Sequence, residues 1–163
     1  MDDSTEQHTT PPLPLDQKDI EILRLLQANA KLTVRDIATQ IHLSPTPTHE
    51  RIKRLEKHGV IKQYAALLDH RQVNKGIMVL CHITLKDHDR QTASAFIAAI
   101  QQFDQVIECY NISGEFDFML KIVASSMERY HYFMVNHLNE IKGIGQTKSS
   151  FVMDIVKQTH ELI

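Results

Sequence analysis

The chain has no tryptophan, and only five glycines, five prolines and two cysteines in 163 residues. Two cysteines cannot build the multi-disulfide framework of a small secreted domain. Cys81 and Cys109 each fall inside an apolar, strand-like run, which suggests buried thiols in a reducing cytoplasm. No apolar run approaches the roughly 20 residues of a membrane span. Met1 to Pro14 is polar and acidic, lacks the apolar segment of a signal peptide, and is expected to be a disordered arm. The expected location is therefore cytoplasmic, with no membrane partner. The few glycines form no phosphate-cradling loop, and no HExxH-type string occurs. Ten histidines are scattered, with His49 and His58 nine apart and no cysteine or carboxylate at ligand spacing, so neither a metal nor another cofactor is expected.

What is present is concentrated between Leu15 and Tyr64. This stretch holds nine Lys or Arg against six Asp or Glu, a net of +3, while the remainder holds nine against fourteen, a net of -5. A basic excess confined to one element of an acidic protein points to a local nucleic-acid footprint. Asp16 is placed to cap a first helix, Gln17 to Asn29, with Ile22, Leu23 and Leu26 inward. Thr33 and Asp36 form a capping box for a second helix carrying Ile37, Ala38 and Ile41. The third helix starts at either Ser44 or Thr46. A residue before proline avoids the α region, which favours Thr46 as cap with Pro47 opening the helix. Thr48, Ile52 and Leu55 share its inner face, and Gly59 supplies a left-handed stop.

Three short helices in this arrangement form a helix-turn-helix, in which the first turn of the last helix enters the major groove of double-stranded DNA. Ser44, Pro45, Thr46, Pro47, His49 and Glu50 are then nearest base edges, while Arg51, Lys53, Arg54 and Lys57 reach phosphates. So small an excess of charge calls for a dimer presenting two such helices.

Beyond Tyr64 comes extended chain and a polar hinge, residues 65 to 76. The pattern then reads strand (Ile77 to Leu85), helix (Arg90 to Gln102, with Phe96, Ile97 and Ile100 inward), and strands Val106 to Ile112 and Phe116 to Val123. A helix capped by Ser126 and a strand from Gln146 to Asp154 follow, and Ile155 to Ile163 reads as a short helix or an arm. This β-α-β-β-α-β order is ferredoxin-like. The fold class is thus α+β, a three-helix (winged) helix-turn-helix domain over 15–64 followed by a ferredoxin-like domain over 77–163. Met78, Leu80 and His82, and likewise Val106, Glu108 and Tyr110, show that neither alternate set of strand residues is cleanly polar. The uncovered face is expected to pack on a second copy.

The strings LDQKDIEILRLLQ, LSPTPTHERIKRLEKHGVIKQYAALLD, ECYNISGEFDFMLK and QTKSSFVMDIVKQT together resemble the Lrp/AsnC family of transcription regulators, nearest its leucine-responsive branch. Three positions depart from the family pattern: His42 stands where glycine is usual in the turn, Thr48 where cysteine is common, and Glu115 where aspartate is common. By its residues alone, Ser113 to Asp117 is a hairpin turn. The resemblance implies instead that this loop lines a small-molecule pocket between dimers. The ammonium of an amino-acid effector, leucine or another apolar one, would meet Asp117 or Glu115. Its carboxylate would meet the amides around Gly114, near Ser113, or the hydroxyls of Thr147 and Ser149 beside Gln146. The resemblance also implies homodimers that assemble into octamers. Two other classes fit the same residues less well: a DNA-binding architectural protein with no effector, and a ferredoxin-like enzyme. The second finds no paired carboxylates with a partnering base in the loop, where Glu115 and Asp117 flank a turn with no accompanying His or Lys.

Overall fold

A computed structural model describes residues 13–163. The arm expected over 1–14 lies, except for Leu13 and Pro14, outside the described residues. The chain falls into two compact units, one reaching Ala66 and taking in Gln158–Ile163, the other running Leu67–Lys157.

In the first unit, helix α1 (Gln17–Ala28) begins with a capping box in which Asp16 accepts from the Asp19 amide and the Asp19 side chain accepts from the Asp16 amide. Helix α2 (Val34–Gln40) opens with the expected Thr33/Asp36 box. It ends in a Schellman turn: the Leu43 amide reaches the Ala38 carbonyl at 3.0 Å and the His42 amide the Thr39 carbonyl at 3.3 Å. His42 occupies the left-handed position with φ 56, doing without glycine what the turn needs. A β-branched residue there would be strained. His42→Val should therefore cost on the order of 1–2 kcal/mol in a urea titration, while His42→Gly should not lower the midpoint.

Helix α3 spans Pro45–Lys57 with Ser44 as N-cap, so the Thr46 start is corrected. Pro47 sits at the third helical position, whose amide would lack an intrahelical acceptor anyway, and proline there forfeits no bond. The first main-chain bond comes one residue later, from Thr48 to Ser44. Gly59, with φ 70, closes the helix through Val60 and Leu55 as expected. Ile22, Leu23, Ile37, Ile41, Ile52 and Leu55 make one buried cluster, with Leu26, Val60 and Ile61 packed on its edge. After Ile61 the backbone is irregular to Asp69 and turns over His70–Asn74, and no strand of a wing lies between α3 and Ile77. At the far end of the chain, the Leu162 amide and the Ile163 carbonyl bond the Gln27 side chain of α1.

The second unit is a four-stranded antiparallel sheet ordered β2-β3-β1-β4. Its elements are β1 (Ile77–Leu85), α4 (Arg90–Ile100), β2 (Val106–Asn111), β3 (Phe118–Ala124), α5 (Met127–Phe133) and β4 (Ile144–Phe151). The helix after Ser126 continues into one π-helical turn, Met134–Leu138, where the Asn139 amide reaches the Met134 carbonyl. The last strand starts at Ile144 and stops at Phe151, earlier at both ends than expected, and residues 152–163 form no helix.

The two helices cover one sheet face. Val79, Cys81, Ile83, Phe118, Leu120 and Ile122 meet Phe96, Ile100, Phe133 and Leu138 in a continuous core. Ile97 is 40% exposed, which corrects its inward assignment: Phe96 and Ile100 already fill the buried stripe one turn apart. Cys109 is also exposed, because β2 is an edge strand, while Cys81 in the central strand is fully buried; both are free thiols. By register and alternation, the opposite face carries Met78, Leu80 and His82 of β1 beside Met119 and Lys121 of β3.

Candidate functional site

The outer surface of α3 is built by its periodicity. At about 100° per residue, Thr46, Glu50, Lys53 and Lys57 line one face, with His49 beside them, directly opposite the buried Thr48, Ile52 and Leu55. Ser44, Pro45, Thr46, His49, Glu50, Lys53 and Lys57 are exposed and Pro47 is half-buried. Lys53 pairs along the helix with Glu56 at 2.9 Å, a contact easily exchanged for another anion.

Arg51 and Arg54 depart from the expectation that they face phosphates. They lie on the flank of α3 nearest α1, where Arg51 Nη1 donates to Asp16 Oδ2 at 2.6 Å and to Asp19 Oδ1 at 2.8 Å. Arg54 Nη2 donates to the other oxygen of Asp19, whose side chain is fully buried. The sequence did hold a signal for this. Asp19, Ile22, Leu23 and Leu26 are spaced i, i+3, i+4, i+7, so Asp19 stands on the apolar stripe of α1, where an acid requires a partner.

Asp16, Asp36 and Glu56 of this unit are tuned downward. The Asp19 amide, and then the Arg51 guanidinium, hold the Asp16 carboxyl below its ordinary range. The Thr33 hydroxyl and amide do the same for Asp36, and Lys53 followed by the Tyr64 hydroxyl for Glu56. Tyr64 is itself pushed up to about 12 by burial and by its bond to Glu56. A carboxyl with a depressed folded pKa contributes stability that is present above its unfolded value and lost as pH falls through the folded one. The unfolded values are 3.8 for Asp and 4.5 for Glu. The urea midpoint of the full chain should thus decline as pH drops below these values, and Asp16→Asn should make that decline shallower. A midpoint flat to pH 3 would contradict the assignment.

At one end of the sheet, Ser113, Gly114 and Glu115 are exposed, and Gly114 takes φ 118. Asp117 is tied into the fold. Its Oδ2 accepts from the Leu85 amide at 2.7 Å, its amide donates to Ile83 and its carbonyl accepts from Ile112. His88 Nδ1 lies 3.2 Å from the remaining oxygen, Oδ1. Across β1, Thr147 pairs with Ile83 and Gln146 with Thr84, so Asp117, Gln146 and Thr147 come to the same end of the sheet. Ser149 does not join them. It is in register with Cys81, and its hydroxyl is 2.6 Å from that of Tyr130 on the helix-covered side. Burial, ahead of every other influence, raises Tyr130 to about 12. Sequence reasoning overlooked two neighbours of the loop, His88 and Phe116. The Phe116 ring stacks 5.0 Å from His82 and lies 5.8 Å from Lys148 Nζ.

A three-helix DNA-reading unit joined to a ferredoxin-like sheet with a polar loop at its end defines a transcription regulator with its own ligand-binding domain. Residues 15–62 match the winged helix-turn-helix DNA-binding model, and residues 78–162 match the Lrp/AsnC ligand binding domain. The leucine-responsive regulatory protein of Haemophilus influenzae is 40% identical over 149 residues, covering 91% of this chain and 90% of its own. That of Escherichia coli K12 is 33% identical over 153 residues, covering 94% and 93%. Among solved structures, a transcriptional regulator of Neisseria meningitidis in complex with L-Met superposes with a TM-score of 0.88 at 32% identity, covering 92% of this chain and 97% of that one. An AsnC family regulator from Agrobacterium tumefaciens gives 0.86 at 34%, covering 91% and 97%. The chain belongs to the Lrp/AsnC family of transcription regulators, and its relatives are regulators, not enzymes.

Proposed function

We propose that this regulator works in the cytoplasm and couples DNA occupancy to a free apolar amino acid, leucine or methionine being the first candidates. The observation that carries this reading is the anchored Asp117 carboxylate at the sheet end beside Gln146 and Thr147. Two relatives add to it: the Haemophilus protein is named for leucine, and the Neisseria regulator is in complex with L-Met. The Leu85 amide fixes Asp117 Oδ2, leaving Oδ1 toward His88, so an incoming ammonium takes the place of that imidazole. The main chain around Ser113 and Gly114 and the Thr147 hydroxyl serve the carboxylate, and Glu115 stands at the rim. Ser149 is left out of this set.

The DNA-reading unit is assigned to 15–64 and the effector and assembly unit to 77–163. Thr46, His49 and Glu50 meet base edges, Ser44, Pro45 and Pro47 set the entry of α3, and Lys53 and Lys57 meet phosphates. Two copies join through the open sheet face around Leu80 and Met119, and four such dimers form an octamer. An effector bound where dimers meet shifts assembly and so the spacing of the DNA-reading helices.

A thermal-shift screen of the full chain against the twenty common amino acids tests this. An effector at about 100 times its Kd adds about 2.7 kcal/mol to the folded state and raises the melting temperature. Asp117→Ala should erase the shift while leaving DNA binding without effector in place. A purely architectural DNA-binding protein would show no shift with any amino acid.

A further inference from the structure

We infer that Asp19 is a positioning residue for DNA recognition: through Arg51 and Arg54 it fixes the rotation of α3 about its own axis and withdraws both guanidiniums from the phosphate backbone. The inference rests on α3 being the DNA-reading helix, and goes beyond that reading by assigning the orientation of the helix to a buried carboxylate on another element.

Asp19 is 0% exposed. Its Oδ2 accepts from the Asp16 amide and from Arg54, and its Oδ1 accepts from Arg51. A single carboxylate thereby ends the first turn of α1 and grips α3 at two points, three residues apart. Arg51 is held a second time by Asp16. The Arg54 side chain is 41% exposed, but its Nε is buried without a hydrogen-bond partner among the described residues. Two grips along one flank leave α3 neither rotation nor sliding. Rolling the helix to centre Arg51 and Arg54 on DNA would carry Thr46, Glu50 and Lys53 off it, because the centres of the two sets lie about a quarter-turn apart at about 100° per residue. The helix can present one set only, and the clamp selects the set containing the candidate base readers. Phosphate neutralisation falls to the exposed Lys53 and Lys57.

A phosphate contact and a positioning contact have different signatures. Loss of a phosphate contact lowers the slope of log K against log salt by about 0.9 on any duplex. Loss of register weakens the chosen sequence selectively and leaves the slope alone. The full chain is titrated at several salt concentrations with two probes, poly(dI-dC) and a duplex recovered by the wild-type chain from a random pool. Arg51→Gln should keep its slope on poly(dI-dC) and lose at least about tenfold in the ratio of selected to non-selected affinity. Arg51→Lys should restore that ratio, since an ammonium can sit between Asp16 and Asp19 where one Arg51 nitrogen now does. Lys53→Ala should show the reverse, a flatter slope with the ratio kept. Should far-UV circular dichroism show Arg51→Gln unfolded, the apolar replacement Asp19→Leu, Arg51→Met, Arg54→Met provides the same reading: slope kept, ratio reduced. A folded Arg51→Gln whose slope drops as far as that of Lys53→Ala overturns the inference, as does a ratio that stays at the wild-type value in either variant.

Discussion

With Lys53 and Lys57 both replaced by alanine, DNA binding falls steeply and its salt dependence flattens. The two side chains are exposed, lie one turn apart on the outer face of α3, and remain there after Arg51 and Arg54 are committed to α1. Each lost phosphate contact takes about 0.9 from the slope of log K against log salt, so a protomer losing both loses about two, and a dimer twice that. Thr48, Ile52 and Leu55 hold the helix from the other side, so the double variant keeps its fold and the effect is one of charge. Filter binding from low to physiological salt measures it. A slope equal to that of the wild type would remove both lysines from the interface.

The second large effect concerns the sheet unit. Phe96→Ala removes a fully buried ring that stands 4.7 Å from Phe118, centroid to centroid, in the middle of the core between α4 and the sheet. Such a truncation costs roughly 3–5 kcal/mol, transfer and cavity together. The protein carries its own reporter. Cys81 lies in the same core with no exposure, and burial pushes its thiol pKa up, so it reacts only when the sheet opens. Cys109 on the edge strand is exposed and serves as an internal standard. Labelling of Cys81 by a thiol reagent should accelerate by about a hundredfold or more in the variant, at tenfold per 1.4 kcal/mol. Cys109 should react at nearly its former rate. An unchanged Cys81 rate would mean that Phe96 carries no weight in this core. The proposed amino-acid response, which would need an ordered sheet end, should weaken with it.

Local chemistry explains how much of this was legible beforehand. A cap is decided within four residues, so Asp16, Thr33, Ser126 and the stop at Gly59 could be read directly, as could the turn at His42. The strand and helix order of the sheet unit followed from a change of hydrophobic period. The start of α3 was harder, because two prolines and two hydroxyl residues alternate there, and only the tolerance of the third helical position for proline separates them. The partners of Arg51 lie 32 and 35 residues away, and nothing in the spacing of α3 alone encodes them. An acid on the apolar stripe of α1 was the visible trace. Ser149 shares the face of Thr147 but stands two residues further from the sheet end, and the Tyr130 hydroxyl that it meets belongs to another element, which the strand's own spacing does not encode. Asp117 was legible as a turn carboxylate, but its bond to the Leu85 amide required the register of β1 against β3.

The place of β1 has a consequence for the order in which the protein is made. Among the described residues it is the first strand to be synthesised and, like β3, it is paired on both sides, with β3 on one edge and β4, its partner from Val79 to Leu85, on the other. The edge that takes β4 therefore stays open on the ribosome after β3 has emerged, until residues 144–151 follow, and apolar residues such as Ile83 wait with it. The helical core between Ile22 and Leu55 is complete once residues up to Leu55 have emerged and can close much earlier. A nascent chain thus folds its DNA-reading unit while its sheet is still incomplete, and a pause or truncation late in translation would leave that unit without a finished ligand-binding domain.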